Sequence, residues 1–343
     1  MPATPLRELT TLGLGGEPAR LVEAATDDEL VAAVRAADEA GEPLLVLAGG
    51  SNVVAADDGF AGAVALVRTR GLLSEGTRLE VAAGEPWDDV VAACVADGLA
   101  GVECLSGIPG STGATPIQNV GAYGQEVAET IVSVRAWDRR AGEPVVLPAS
   151  ACGFGYRTSA LKREPGRWLV LGLTLALERS ALSGPIRYAE LARALGVPVG
   201  DRAPLGDVRD AVLALRRAKG MVLDPADLDT RSAGSFFTNP VLDAAEFEWL
   251  RRRAPEPPPA WPAPDGRVKT SAAWLIERAG FRRGHGDPGG IAISSKHTLA
   301  LTNRGAGTAA ELLALAREIA AGVRDAFGVE LEPEPVLVGL DWP

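Results

Sequence analysis

The stretch GIPGSTGATPIQNVGAYGQE, residues 107–126, contains five glycines, two prolines and one charged side chain, Glu126. So much glycine and proline argues against a helix, and nothing in the stretch alternates as a plain strand would. It is also too long for a simple turn. Glycine lets a backbone approach a neighbour closely and present its amides and carbonyls, so such a loop suits a partner that is polar but uncharged. An Ω-like surface loop is the plain alternative, although Gln118, Asn119 and Tyr123 among the glycines are unusual as padding.

A second glycine loop lies upstream. PLLVL (43–47) reads as a buried strand, and Ala48, Gly49, Gly50, Ser51 and Asn52 follow directly, before the apolar pair Val53 and Val54. Two adjacent glycines at a strand end can turn amides toward phosphate oxygens, and Ser51 and Asn52 add side-chain groups. A tight turn is the plain reading of the same residues. The loop is no Walker motif, because no G-K-[ST] follows, and it lacks G-x-G-x-x-G spacing. A dinucleotide cofactor held some other way stays open for this loop, and an isoalloxazine edge and a ribityl-pyrophosphate chain suit the 107–126 loop.

Around these loops the chain reads as mixed α and β. DDELVAAVRAADEAG (27–41) predicts an amphipathic helix opened by capping aspartates and closed by Gly41. AVALV (63–67) predicts a strand, and RLEVAAGEPWDDVVAACVADGLAG predicts a strand over 78–83 and a helix over 86–97. Strands are expected at 131–137, 144–147 and 168–177, with helices in YAELARAL and DVRDAVLALRRAK. The proline-dense 254–264 reads as a connector or a surface loop. Beyond it come a helix near SAAWLIERAG, a strand at TLALTN and a long helix over 308–328. A soft boundary falls near residue 70.

Composition narrows the function. A chain of 343 residues with 47% apolar residues and a formal charge of -11 is an acidic globular protein of more than one domain, which disfavours nucleic acid as a partner. Cys94, Cys104 and Cys152 form no C-x-x-C pair and read as core fillers, so neither a disulfide framework nor a structural zinc site is expected. His285 and His297 are the only histidines, too few for a histidine-rich metal centre. No signal peptide and no membrane span is visible, so a cytoplasmic location without membrane insertion is expected.

The motifs TLGLGG (11–16), AGGSN (48–52), GIPGSTGATPIQNVGAYG (107–124), GFGYRTS (153–159), AGSFFTNP (233–240) and LEPEPVLVG near the tail occur in order along essentially the whole chain. In these motifs the sequence resembles the UDP-N-acetylenolpyruvoylglucosamine reductase family, in its longer, type I branch. The resemblance implies an α+β fold of the FAD-binding vanillyl-alcohol oxidase type, with two α/β subdomains and a C-terminal α+β substrate domain. The parts expected are residues 1–70 joined by a C-terminal strand over 335–343, residues 71–220, and residues 221–334. It also implies noncovalent FAD, NADPH as hydride donor, and reduction of the enolpyruvyl ether of UDP-N-acetylglucosamine to UDP-N-acetylmuramate for peptidoglycan.

Site residues carry over position by position. The resemblance implies FAD contacts at Ala48, Gly49, Gly50, Ser51 and Asn52, and at Gly110, Ser111, Gly113, Ala114, Thr115, Gln118, Asn119, Gly121, Ala122, Tyr123 and Gly124. It makes Ser235 the proton donor, with Arg157 and Glu334 compensating the charge that develops on the substrate. An arginine fork suits a carboxylate, whereas Glu334 beside one must be protonated or held against a cation. Tyr156, Tyr188, Arg216, Lys219 and Asn239 match substrate contacts. Arg216 and Lys219 are one turn apart near a helix end, where cations are also favoured on electrostatic grounds alone. Two departures stand out: Ala48 replaces a common glycine, and Pro335 follows Glu334 where relatives carry an aliphatic residue, which bears on how that carboxylate is aimed. A monomer is expected, and a different FAD-dependent oxidase or dehydrogenase of the same fold is the alternative function.

Overall fold

The computed structural model describes residues 4–342. The described residues form two compact units, one built from 18–50 and 61–218, the other from 4–17, 51–60 and 219–342. Residues 1–3 and 343 of the expected first part lie outside the described residues.

In the first unit, strands Pro18–Ala24, Phe60–Val67 and Leu44–Leu47 form a small sheet in which Leu44–Leu47 runs parallel to Phe60–Val67. Helix Asp27–Ala40 buries Leu30, Ala33, Val34 and Ala37, the face its apolar spacing predicts. The cap is Thr26, whose side chain accepts from the Glu29 amide while Glu29 reaches back, and the expected capping aspartates instead occupy the first turn. Gly41, at φ 63°, closes the helix as its position foretold.

A five-stranded antiparallel sheet follows in the order Glu143–Pro148, Ile131–Asp138, Trp168–Ala176, Arg78–Ala82 and Leu72–Glu75. Helix Trp87–Ala96 packs Trp87, Val90, Val91 and Cys94 into the same core as Leu79, Val81, Val134 and Leu173. A soft boundary at residue 70 does not separate two bodies, because Ala24, Leu30, Val34, Ala65 and Val67 share one apolar cluster with Ala83, Leu169 and Leu171. Helices Ala189–Leu195 and Leu205–Ala218 enclose a further cluster around Ile186, Leu191, Val208 and Val212.

The second unit is built on helix Ala309–Phe327, opened by a Thr308–Glu311 capping box and closed by Gly328 at φ 70°. Its buried face packs with Leu275 and Ile276 of helix Ala272–Arg278 and with Phe236 and Phe237. Leu12, Leu14 and Val54 enter that core, which is why two early segments belong to this unit. Strand Val53–Ala55 pairs in parallel with Val336–Val338, so the tail meets the residues that follow the AGGSN loop. Within the proline-dense stretch, Trp261–Pro262 pairs with Val268–Lys269 as a small surface sheet. Helices and sheets in these proportions give the α+β class expected. Among the described residues no helix is long and apolar enough to cross a membrane, and no group of His, Cys, Asp or Glu could hold a metal ion.

Candidate cofactor and substrate site

In the first unit the two glycine loops meet backbone to backbone. A Cβ built on Gly49 would lie 2.6 Å from the Gly110 Cα, and one on Gly113 would lie 2.6 Å from the Ala83 Cβ. Neither position tolerates a side chain. The Gly110–Gly113 segment is hung on the chain entering helix Trp87–Ala96: the Trp87 amide donates to the Gly110 carbonyl at 3.0 Å, Thr112 to Glu85 at 2.8 Å, and Gly113 to Ala83 at 2.8 Å. Ser111, Thr112 and Thr115 are buried along it, and the Thr115 hydroxyl donates to the Thr112 carbonyl. Further on, Gly121–Ala122 pairs with Gln125–Glu126 around Tyr123 and Gly124, at φ 50° and 81°. Two left-handed residues make a hairpin turn of the primed type, in which Gly124 is at ease and Tyr123 is strained.

This cradle fits a noncovalently held flavin: it is lined by glycine and buried hydroxyls, and residues 107–125 carry no charged side chain. The cysteines are poor candidates for a covalent tether. All three are buried, and burial pushes the Cys94 and Cys104 thiols up to about 12 and raises that of Cys152.

The start of the loop is held by an ion pair that sequence reading missed. Asp88 accepts from the Gly107 amide at 2.6 Å and from both terminal nitrogens of Arg209, at 2.6 and 2.9 Å. Burial raises the Asp88 pKa, but the Arg209 bonds and charge and the Gly107 amide outweigh it and hold the carboxyl below 3.8. A depressed folded-state pKa means that this stabilisation is present above about pH 4 and is lost as pH falls through the folded value. Asp88→Asn is expected to cost about 1–2 kcal/mol at pH 7, after discounting for a partly exposed pair. Urea titrations should show the gap between wild type and variant closing below pH 4. A gap that stays constant with pH would remove the charge from this explanation.

Arg157 belongs to the same unit and is tied to the loop. Gly155 and Thr158 exchange backbone hydrogen bonds around Tyr156 and Arg157, with Arg157 left-handed at φ 51°. Its guanidinium donates to the Gly121 carbonyl at 2.9 Å and to the Asn119 carbonyl at 3.4 Å, and lies 5.7 Å from the centroid of the exposed Tyr156 ring. Asn119, buried and left-handed at φ 46°, closes the circuit. Its amide nitrogen donates to Glu126 at 2.7 Å and to the Gly155 carbonyl at 3.1 Å, and its oxygen accepts from the Ala128 amide at 3.2 Å. These bonds use the Asn119 side chain on protein partners.

Tyr123 packs edge-on against Tyr188, ring centroids 5.5 Å apart. Burial pushes the Tyr123 phenol up to about 12 against the pull of nearby Arg216, so it stays neutral and able to donate a hydrogen bond. Burial also lowers the Arg216 pKa, countered by Tyr123 and Asp88, which marks a cation held in a poorly solvated place. Tyr188 is exposed at the start of helix Ala189–Leu195. The Arg216 helix ends at Ala218, so Lys219 lies just past it and is counted with the second unit.

In the second unit, residues 236–238 run antiparallel to 332–334. The Glu334 amide donates to the Phe236 carbonyl at 2.8 Å, Thr238 donates to Glu332 at 3.0 Å, and Phe237 bridges Pro333. That ribbon places Ser235 and Glu334 at one end of two paired segments. Phe236, Phe237 and Trp342 anchor it through mutual ring contacts. The Phe236 amide donates to Leu299 at 2.7 Å, fixing the peptide that follows Ser235, and the half-buried Ser235 hydroxyl bonds to no described residue. The Asn52 amide group donates to the Glu334 carbonyl at 3.3 Å, and the Asn52 carbonyl accepts from Val336 at 2.9 Å. Glu334 is therefore held at both its amide and its carbonyl ahead of Pro335, and the end of the AGGSN loop supplies half of that grip. The Asn239 side-chain oxygen accepts from the Ala272 amide at 3.0 Å, which gives it a helix-start role in addition to any ligand contact.

Comparison with known proteins places the whole chain in one family. Residues 18–147 match the family model described as FAD binding domain, and residues 224–338 match that of the UDP-N-acetylenolpyruvoylglucosamine reductase C-terminal domain. The chain is 59% identical to the UDP-N-acetylenolpyruvoylglucosamine reductase of Thermobifida fusca, over 98% of this chain and 97% of that protein. It is 60% identical to the reductase of Streptomyces coelicolor, over 98% and 89%. The solved structure of the reductase from Thermus caldophilus superposes with a TM-score of 0.67 at 26% identity, covering 99% of this chain and 98% of that one. With both domains matched in order and identity this high along nearly the full length, the chain belongs to the UDP-N-acetylenolpyruvoylglucosamine reductase family.

Proposed function

We propose that this protein reduces the enolpyruvyl ether of UDP-N-acetylglucosamine to UDP-N-acetylmuramate, using noncovalent FAD and NADPH, as a cytoplasmic monomer supplying peptidoglycan precursor. The observation that carries this reading is the hydrogen-bonded union of the glycine loop with Arg157, which joins a cofactor cradle to a carboxylate-binding group. When bound, FAD supplies the hydride, taken from NADPH, that is delivered to the terminal vinyl carbon.

The protein's own residues then manage charge, protons and position. Arg157, held by the Gly121 and Asn119 carbonyls, offers its fork to the substrate carboxylate as negative charge develops there. Ser235 donates a proton to the carbon beside that carboxylate, its hydroxyl being free of described partners. Glu334, with its backbone fixed by Phe236 and Asn52, acts with Arg157 to compensate the charge that develops on the substrate. Tyr156, Tyr188, Arg216, Lys219 and Asn239 bind the nucleotide sugar. The poorly solvated Arg216 guanidinium gains most from a diphosphate, which would offset the cost of its burial. The FAD contacts are those of 48–52 and 110–124.

A steady-state assay tests the proposal. The purified protein with FAD should consume NADPH only when UDP-N-acetylglucosamine enolpyruvate is present, with a lactyl ether as product. Consumption that does not depend on that substrate, or that yields no lactyl ether, would refute it.

A further inference from the structure

The turn that carries Arg157 is latched from a second direction by residues to which no role is assigned. Ser159, fully buried, donates its hydroxyl to the Ile117 carbonyl of the glycine loop at 2.6 Å and caps the short helix Ala160–Arg163 by accepting from the Lys162 amide at 3.2 Å. That cap sets the direction of Lys162. Its ammonium donates to the Arg157 carbonyl at 3.2 Å and to the Gln118 side-chain oxygen at 3.3 Å. One side chain thus grips both the left-handed peptide of Arg157 and the loop residue that precedes Asn119.

Arg157 sits in a backbone conformation that residues with a Cβ adopt only under constraint, and the peptide that follows it is already held at its amide end by the Thr158 bond to the Gly155 carbonyl. A cationic donor on the carbonyl end of the same peptide adds a second restraint, and tying that donor to Gln118 links the restraint to the glycine loop. We infer that Lys162 is a positioning residue, which fixes the peptide of Arg157 against the cofactor loop so that the guanidinium is aimed before substrate arrives. The inference rests on the reductase reading above, in which Arg157 acts on the enolpyruvyl substrate and not on NADPH.

Lys162→Met keeps the apolar stem of the side chain as far as Cε and removes the ammonium donor. Two anaerobic half-reactions, flavin reduction by NADPH and reoxidation by UDP-N-acetylglucosamine enolpyruvate, separate the possibilities. The expected result is a limiting rate of reoxidation lowered about 10- to 100-fold, the size of effect a misaimed group produces. Reduction by NADPH, the visible flavin spectrum and the half-saturating substrate concentration should each stay within about twofold of wild type. Lys162→Arg, which retains a cationic donor, should recover most of the lost rate. Reoxidation by Lys162→Met at the wild-type rate would overturn the inference. So would equal slowing of both half-reactions or loss of bound FAD, since either would make Lys162 part of general cofactor retention. A raised half-saturating concentration at unchanged rate would also overturn it, by making Lys162 a direct ligand. Wild-type protein that fails to be reoxidised by the substrate would instead count against the function itself.

Discussion

Ser235→Ala should slow reoxidation of the reduced protein by its enolpyruvyl substrate by about 10²- to 10⁴-fold, the range over which a positioned proton donor acts. Reduction by NADPH should stay within about twofold, because a proton donor to the substrate carbon has no part in that half-reaction. The structure makes this a clean substitution. The hydroxyl bonds to no described residue, so its loss leaves no orphaned partner, and the local backbone is fixed by the Phe236 bonds to Leu299 and Glu334. Folding stability should therefore move by no more than about 0.5 kcal/mol. Equal damage to the two half-reactions would end the assignment of Ser235 as donor.

The second large effect is expected at Gly49. Alanine there would push its Cβ to 2.6 Å from the Gly110 Cα and 3.1 Å from the Gly110 carbonyl carbon, and both are backbone atoms that cannot rotate aside. Overpacking of this kind costs about 1–3 kcal/mol. Because the two segments forced apart are the ones that cradle the cofactor, Gly49→Ala should weaken FAD binding by up to about 100-fold, measured by titrating apoprotein with FAD. Gly142→Ala is the control. Gly142, unlike Gly49, is left-handed, at φ 70°, and its Cβ would meet nothing within 4 Å, so alanine there should cost about 1 kcal/mol of stability through the backbone alone and leave FAD affinity unchanged. Similar loss of FAD affinity in both variants would mean that general destabilisation, and not the meeting of the two loops, is what matters.

Much of the fold was legible because its signals are local. Leu30, Val31 and Val34 recur at helical spacing ahead of Gly41, of which Leu30 and Val34 are buried and Val31 half-buried, and WLVLGLTLAL reads as a buried strand from its own composition. The N-cap was misplaced by one residue, since Thr26 with Glu29 three residues on makes a better reciprocal pair than the aspartates beside it. The membership of residues 4–17 and 51–60 was not legible. Leu12, Leu14 and Val54 join a core formed mostly by residues beyond 230, and no periodicity within a short segment records so distant a partner.

The site divides the same way. Glycine spacing advertised both loops, and the positions that reject a Cβ, Gly49 and Gly113, are among those singled out. What holds the loops had no such signature. The Asp88–Arg209 pair spans 121 residues, Asn119 reaches Gly155 across 36, and Lys162 reaches Gln118 across 44. Ser235 and Glu334 carry roles implied by resemblance alone, and only the pairing of 236–238 with 332–334 shows how one ribbon brings them together.

An anaerobic spectrum of the FAD-loaded protein tests the whole account most directly. NADPH should bleach the yellow absorption, and addition of UDP-N-acetylglucosamine enolpyruvate should restore it within the time of a single catalytic turnover. A protein that stays colourless with FAD, or one whose colour returns with dioxygen but not with the enolpyruvyl substrate, would contradict it.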